Sequence, residues 1–403
     1  MNDLLFFIEV LVGGLLSGVM YSLVALGFVL IYKASGVFNF AQGAFVLFAA
    51  LTFVLLLEVE GDFWSWTAWI SLGLAAISGL LFFGSRIKFL PNKMISGPRI
   101  PIGFAIAAVV LLPLILDGGH NMWRALFITL MIFLVLTIGV RTPNWAAGIL
   151  LGVAVASFFA TELNFWRSLA LTLIVMIVLA IAVERIVLRP LVNQEPIILF
   201  MATIGLNFIV EGVAQGVWDA NVHPLDIGIP DYPFATLSES TGIFISQFDF
   251  YAAVTAGVLV TGLAIFFNKT RVGRALRAVA DDHQAAMSVG IPLKNIWGIV
   301  WAAAGIVALV AGLLWGSKLG VQFSLAFLAF KALPVLILGG FTSIPGAIIG
   351  GLIIGAMEKV FEVFVGIPYL GGGTENWSPY MLAMIFLLFR PQGLFGEKII
   401  ERV

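Results

Sequence analysis

The sequence predicts an all-α polytopic membrane protein, a helical bundle of about 13 transmembrane spans. Of its 403 residues, 61% are hydrophobic and only 11% are charged, whereas about a quarter of the residues in a soluble domain are charged. The apolar residues fall in repeated runs of the length that one helix needs to cross a bilayer. A membrane β-barrel would instead show weak segments of alternating hydrophobicity.

The predicted spans follow one another along the whole chain. They lie near 10–32, 40–57, 64–84, 101–116, 123–140, 145–160, 166–188, 197–217, 249–268, 296–316, 322–340, 345–365 and 377–390. Every second connection between them is basic, and the intervening ones, such as the long loop 218–248, are mostly acidic. Because basic loops stay on the cytoplasmic side, this alternation predicts the N-terminus outside and the C-terminus in the cytoplasm.

Glycines four positions apart predict close helix packing, because small residues let two backbones approach. Gly14 and Gly18 form such a pair in the first span. The span near 345–365 holds two further pairs, Gly346 with Gly350 and Gly351 with Gly355.

The polar stretch from Arg271 to Pro292 lies between two apolar runs and concentrates positive charge. Its cytoplasmic placement rests on Lys269, Arg271, Arg274 and Arg277. Residues 274–287 contain neither Gly nor Pro, and apolar residues recur there at helical spacing until Gly290. We therefore expect a short surface helix whose apolar edge has no core of its own to enter and contacts a cytoplasmic partner.

Several strings of residues resemble the permeases of ABC importers, most particularly those for branched-chain amino acids. Residues 284–290, QAAMSVG, are similar to the EAA-x-x-x-G loop that docks on the ATPase, with Gln284 in place of the usual Glu. Residues 38–43, FNFAQG, resemble the family's N-F-A-x-G signature, and 184–191, ERIVLRPL, its E-R-x-x-x-R-P-L junction. Residues 339–351, GGFTSIPGAIIGG, fit its G-G-x-x-S-I-P-G-A-x-x-G-G pattern almost throughout.

The resemblance covers the chain unevenly and suggests three parts. Residues 1–63 are the expected N-terminal permease core, and 163–403 are the C-terminal core with a cytoplasmic coupling loop at 269–295. The segment 64–162 has no counterpart in the family pattern, so we expect it to be an insertion of four transmembrane helices. An even number of inserted spans leaves the downstream topology unchanged.

The resemblance implies a transport subunit rather than an enzyme. The expected role is the permease of an ATP-driven importer for branched-chain, hydrophobic amino acids, in the bacterial inner membrane. The expected partners are a second related permease, two ABC ATPase subunits, a periplasmic substrate-binding protein and the lipid membrane, with no nucleic acid. Urea, short amides or other small carboxylates are alternative substrates. An ion-coupled secondary transporter is the alternative from another class, and it would need paired midplane carboxylates or matched broken helices.

The same resemblance marks the residues expected to couple the chain to an ATPase. They are Arg274, Arg277, Asp281, Asp282, Gln284, Ala285, Ala286 and Gly290. The small side chains of Ala285 and Ala286 would let a partner approach closely.

A second group consists of polar or small residues within apolar segments, Asn39, Gln42, Gly43, Thr203 and Asn207. Amides in an apolar segment are costly unless they are hydrogen-bonded. These residues therefore either brace a break in the helices or line the translocation pathway, and both roles stay open.

Lys331 and Glu358 are charged residues inside two neighbouring predicted spans. At about 1.5 Å of rise per residue, counting from the shared turn puts their backbones within about one helical turn of the same depth. We therefore expect a buried ion pair that fixes the two helices, and a role in the pathway stays open.

No catalytic or cofactor chemistry is expected. The sequence has no cysteine and no G-x-x-x-x-G-K-[ST] loop for ATP, and its three histidines are far apart. We therefore expect no metal site and no bound cofactor, and the energy for transport must come from a partner.

Overall fold

A computed structural model of the chain describes residues 2–58, 164–191, 194–218, 220–281, 283–291 and 293–396. Its α-helices are α1 (Asn2–Ser35), α2 (Gln42–Glu58), α3 (Asn164–Ala182), α4 (Pro196–Trp218), α5 (Ala235–Thr241), α6 (Gln247–Lys269), α7 (Arg271–Asp281), α8 (His283–Ser288), α9 (Leu293–Leu319), α10 (Leu328–Gly339), α11 (Ile344–Phe361) and α12 (Ser378–Phe389). Helix α3 continues through a π-helical turn, Val183–Leu188, and α11 through another, Glu362–Leu370. Within these described ranges, β-type pairing between backbone segments occurs only at two isolated bridges.

The all-helical prediction is confirmed, and nine of the thirteen predicted apolar runs coincide with helices. Among the described residues, five helices are long and apolar enough to cross a membrane, namely α1, α3 with its extension, α4, α6 and α9. Helix α2 and helix α12 are apolar but shorter. The four remaining runs, and all of the proposed insertion at 64–162, lie outside the described residues. The total number of spans and the orientation of the termini therefore stay predictions.

The two predicted spans around the turn at 340–343 form a strongly bent pair. Phe323–Gly339 and Ile344–Leu370 meet at 113°. Gly340 has a φ of 101°, a conformation that favours glycine, and its N–H donates to the carbonyl of Leu336. Ser343 then caps α11 by accepting a hydrogen bond from the N–H of Gly346 at 3.0 Å. The turn residues thus end one helix and start the next within four positions.

Helix α1 lies at the centre of the bundle. It packs along α11, α9, α6 and α10. Most of its residues between Met20 and Ile31 are completely buried. A helix that is apolar on every side can be buried all round, which explains this position.

The glycine pairs bring α11 against two neighbours, which confirms the predicted close packing. A Cβ atom added at Gly14 would lie 2.7 Å from the carbonyl oxygen of Gly355, so α1 and α11 meet backbone to backbone. On the other side of α11, a Cβ at Gly350 would lie 2.7 Å from the carbonyl oxygen of Val335 in α10. No side chain fits at either contact without displacing backbone.

Candidate functional site

The predicted surface segment is helical and connects α6 to α9. Helix α7 begins at Arg271, three residues before the predicted start, and α8 ends at Ser288. Gly290 has a φ of 85°, and the N–H of Ile291 donates to the carbonyl of Ala286 at 3.0 Å. This is the hydrogen bond of a glycine-terminated helix, at the position that the sequence indicated.

The apolar edge of this segment is not free, and the expectation that it has no core to enter was wrong. Leu276 and Val279 are completely or almost completely buried, and α7 contacts α1, α6 and α9. The short linkers on both sides hold α7 against the bundle, so its edge completes the common core. A partner must therefore contact other residues of the segment.

Two of the predicted coupling residues also face the bundle rather than a partner. The guanidinium of Arg277 donates to the carbonyl oxygens of Phe267 at 3.1 Å and Asn268 at 3.4 Å, at the C-terminus of α6. A cation is favourable there because the carbonyls end the helix with partial negative charge. Ala286 is buried, whereas its neighbour Ala285 is exposed.

The surface left for a partner lies around α8. Met287 is 54% exposed and Val289 is 81% exposed, and both are apolar. Arg274 and Gly290 are exposed as well. The side chains of Asp281 and Gln284, and Asp282 altogether, lie outside the described residues. We call Ala285 together with Met287 to Gly290 the exposed coupling surface.

The amides between α1 and α2 form a brace. Asn39 and Gln42 are completely buried. The Asn39 Nδ2 group donates to Gln42 Oε1 at 3.3 Å, and Gln42 Nε2 donates to the carbonyl of Ala304 in α9 at 3.4 Å. These contacts connect the turn after α1 to α9, and they leave neither amide facing open space.

Thr203 joins α4 to the same turn. Its hydroxyl donates to the carbonyl of Phe38 at 3.0 Å and accepts from the N–H of Phe40 at 3.2 Å. Gly43 follows this turn in the sequence, and a Cβ atom added at Gly43 would collide with the backbone carbonyl of Ala326. Asn207 is not part of this cluster, because its amide donates to Glu211 in α4 at 2.9 Å.

Lys331 and Glu358 lie in contact between α10 and α11. Lys331 Nζ is 3.1 Å from Glu358 Oε1, and the carboxylate side chain is 2% exposed while the lysine is 31% exposed. Tyr21 of α1 donates its hydroxyl to the same oxygen at 3.1 Å. The ring of Tyr21 also stacks on Trp315 of α9 at 5.3 Å between centroids. The predicted pair is therefore the centre of a cluster that joins four helices.

Sequence reasoning missed Tyr21 and Trp315. The sequence did contain a signal for Tyr21, whose hydroxyl lies in the middle of an apolar run. A buried tyrosine hydroxyl needs a hydrogen-bond partner, so a polar residue on another helix could have been expected next to it. In the part of the chain that the structure describes, no group of three His, Cys, Asp or Glu side chains comes together as metal ligands.

Comparisons with known proteins identify a family and several relatives of this sequence. A family model described as the permease component of branched-chain amino acid transport systems matches residues 10–124 and 122–389. The two matched stretches together extend over more than half of the chain. No solved structure gives a significant match.

Several curated relatives are permeases, which are transport subunits rather than enzymes. The high-affinity branched-chain amino acid transport system permease protein BraD of Pseudomonas aeruginosa is 30% identical over 224 residues, 55% of this chain and 71% of that protein. LivH of Salmonella typhimurium, which has the same description, is 30% identical over 233 residues, again 55% of this chain and 71% of that protein. The fructose import permease protein FruG of Bifidobacterium longum is 23% identical over 317 residues, 70% of this chain and 88% of that protein. The chain is therefore a multi-pass membrane protein that belongs to the ABC permease family of branched-chain amino acid transport systems.

Proposed function

We propose that this chain is the permease subunit of an ATP-driven importer for branched-chain, hydrophobic amino acids. The choice of substrate rests on BraD and LivH, two permeases of branched-chain amino acid transport systems that are about 30% identical to this chain. The observation that supports a docking role is the exposed coupling surface. It carries apolar side chains on a helical segment whose other edge is fixed in the core.

The geometry suggests how a partner would move the bundle. A displacement of α8 would be passed to α7, and α7 would pass it to α6 through Arg277 and to the common core through Leu276 and Val279. Because closely packed elements shift between discrete arrangements rather than deforming continuously, this supports alternating access. The proposed assembly contains a second related permease, two ABC ATPase subunits and a periplasmic binding protein, in the bacterial inner membrane.

The polar residues divide between two roles in this proposal. We assign Asn39, Gln42 and Thr203 to bracing the turn between α1 and α2, because they hydrogen-bond within this turn or connect it to α9 and α4. We assign Gly43 to the same role, because it packs tightly against the backbone of Ala326. Asn207 and Glu211 remain candidates for a polar stripe along the pathway.

Sugar import is the second candidate function. FruG, a fructose permease, matches 70% of the chain, a larger share than the 55% matched by BraD. Its identity of 23% is lower than the 30% of BraD, which is why amino acids come first.

Reconstitution tests the function directly. The complex should be purified from native membrane and placed in proteoliposomes, and uptake of radiolabelled leucine, fructose and urea should be measured with ATP inside and outside. We expect leucine uptake that requires ATP and an ATPase subunit. Fructose uptake instead would favour the second candidate, and leucine uptake that persists without the ATPase would indicate ion coupling.

Docking is tested by co-purification of the ATPase with Val289→Trp. Val289 is 81% exposed, so added bulk obstructs a partner without disturbing the core. The matched control is Val222→Trp, at a residue that is 58% exposed in the loop 218–248. Loss of the ATPase from the first variant alone supports docking at α8. Equal recovery of the ATPase with both variants contradicts it.

A further inference from the structure

A small cavity lies between α11 and α12. Its volume is about 150 Å³. The lining includes the aromatic and aliphatic side chains of Phe361, Met381, Leu382 and Ile385, together with Glu358 and Ser378. Met381 and Ile385 are about half exposed, so the cavity is open on its outer side. Its volume is similar to that of an engineered cavity that holds a benzene molecule, so a branched aliphatic side chain has room here.

Ser378 brings an unsatisfied polar group to this cavity. The residue is 8% exposed, and its Oγ atom is buried without a hydrogen-bond partner among the described residues. Burying a hydroxyl in this way costs free energy unless something binds to it. The hydroxyl can both donate and accept a hydrogen bond.

Glu358 brings a negative charge with one oxygen left over. Both hydrogen bonds to its carboxylate described in the structure, from Tyr21 and Lys331, go to Oε1. Oε2 accepts no hydrogen bond from the described residues, and Glu358 is one of the residues that line the cavity. A carboxylate oxygen with this environment prefers a cationic donor, because charge-assisted hydrogen bonds are stronger than neutral ones.

We propose that the cavity between α11 and α12 binds an amino acid through its branched apolar side chain and its ammonium group. The side chain fills the space between Phe361, Met381, Leu382 and Ile385. The ammonium donates to Glu358 Oε2 and to Ser378 Oγ. The choice of an amino acid as ligand rests on the proposed function, whereas the shape and the two acceptors come from this site alone.

A lipid acyl chain is the competing occupant, since the cavity lies against α12, the outer side of which is apolar and exposed. An acyl chain would fill the apolar part and would leave Ser378 and Glu358 Oε2 without a partner. The two occupants therefore differ in whether binding needs a positive charge.

The first experiment measures binding to the full chain in lipid nanodiscs by isothermal titration calorimetry. The probes are L-leucine, L-alanine, which lacks the branched chain, and 2-hydroxy-4-methylpentanoate, which carries a hydroxyl in place of the ammonium. We expect leucine to bind at least about ten-fold more tightly than either, as one buried branched side chain or one charge-assisted hydrogen bond allows. Equal affinities for leucine and the hydroxy acid, or no binding of leucine, overturn the proposal.

Two variants place the binding site. Leu382→Trp fills the cavity and should abolish leucine binding, whereas Leu388→Trp, at a residue of the same helix that is 83% exposed, should leave it unchanged. Ser378→Ala removes the hydroxyl without adding volume, so it should weaken leucine binding and leave the chain folded. Retained leucine affinity in both Leu382→Trp and Ser378→Ala places the ligand elsewhere and overturns the assignment.

Uptake by the reconstituted complex separates failure of this site from failure of the proposed function. If the wild type imports leucine and Leu382→Trp imports it with unchanged KM, the proposed function stands and this site is wrong. The opposite result is that the wild type imports no amino acid, while the chain in nanodiscs binds leucine and the Leu382→Trp variant does not. In that case the site stands and the proposed transport substrate is wrong.

Discussion

Helices α1 and α7 are fixed to the same bundle by opposite kinds of contact. Helix α1 meets α11 at glycines, where the two backbones touch and no side chain intervenes. Helix α7 is held in the common core by the side chains of Leu276 and Val279, and its close backbone contact, at Gly273, is made with the preceding helix α6 and not with α1. Its residues Arg271 and Arg274 are exposed. A backbone contact has one geometry, whereas a contact between side chains can re-form after a small shift. The comparison indicates that α1 and α11 move together and that α7 can move relative to them.

The largest effect should come from adding volume at the α1–α11 contact. In Gly18→Leu the new side chain would collide with the backbone of Gly351 and Leu352, so we expect a loss of more than about 3 kcal/mol of stability and little folded protein. The recovery of monodisperse protein on size exclusion measures this. Gly13→Leu is the control, because a Cβ there meets nothing within 4 Å. Similar recovery of both variants would contradict the backbone contact.

The next effect should come from truncating the edge of α7. Leu276→Ala removes a buried side chain and leaves a cavity, which costs about 2–4 kcal/mol locally. Because the contact belongs to α7 and not to α1, we expect the bundle to stay folded while α7 loosens. Hydrogen exchange should then rise in residues 271–288 and stay unchanged in α1. A parallel rise in α1 would show that the two helices are equally fixed.

A smaller effect should come from the link between α1 and the ion pair. Tyr21→Phe removes one hydrogen bond to a buried carboxylate, so we expect a loss of about 1.5–3 kcal/mol, measured as a lower melting temperature. Tyr32→Phe removes a hydroxyl from the same helix and should change the melting temperature less. If Tyr32→Phe lowers the melting temperature more than Tyr21→Phe does, the hydrogen bond from Tyr21 to Glu358 contributes little to stability.

The smallest effect should come from Arg277. In Arg277→Ala the C-terminus of α6 loses its cation, which costs about 0.3–1 kcal/mol and should raise hydrogen exchange at residues 266–269. Arg274→Ala, at an exposed residue, is the matched control. An equal change in both variants would mean that charge in general, and not the contact with α6, is responsible.

Much of the fold follows from the sequence because apolar run length and glycine spacing are local properties. The runs near 10–32 and 296–316 became α1 and α9, and Gly290 ended its helix where the sequence indicated. The bend of 113° after Gly339 could not be read from the string GGFTSIPG, because the angle depends on how α10 and α11 pack.

The candidate site was less predictable, because each residue type allowed two roles. The apolar periodicity of 274–287 indicated an amphipathic helix, but not whether its edge meets a partner or the protein's own core. From the sequence, Asn39 and Gln42 could either line a pathway or brace a turn, and their contacts with each other and with Ala304 are the reason that we propose bracing. Such contacts join residues that are distant in sequence, so no local pattern contains them.

The sequence by itself therefore determined the membrane class, the positions of the long apolar helices among the described residues and the family motifs. These depend on hydrophobicity, helix propensity and turn chemistry, which act over a few neighbouring residues. The tertiary structure alone decided that Tyr21 joins Lys331 and Glu358, that Leu276 is buried, and that Ser378 and Glu358 share a cavity. Those facts depend on which helix faces meet, because packing couples parts of the chain that are up to 337 residues apart.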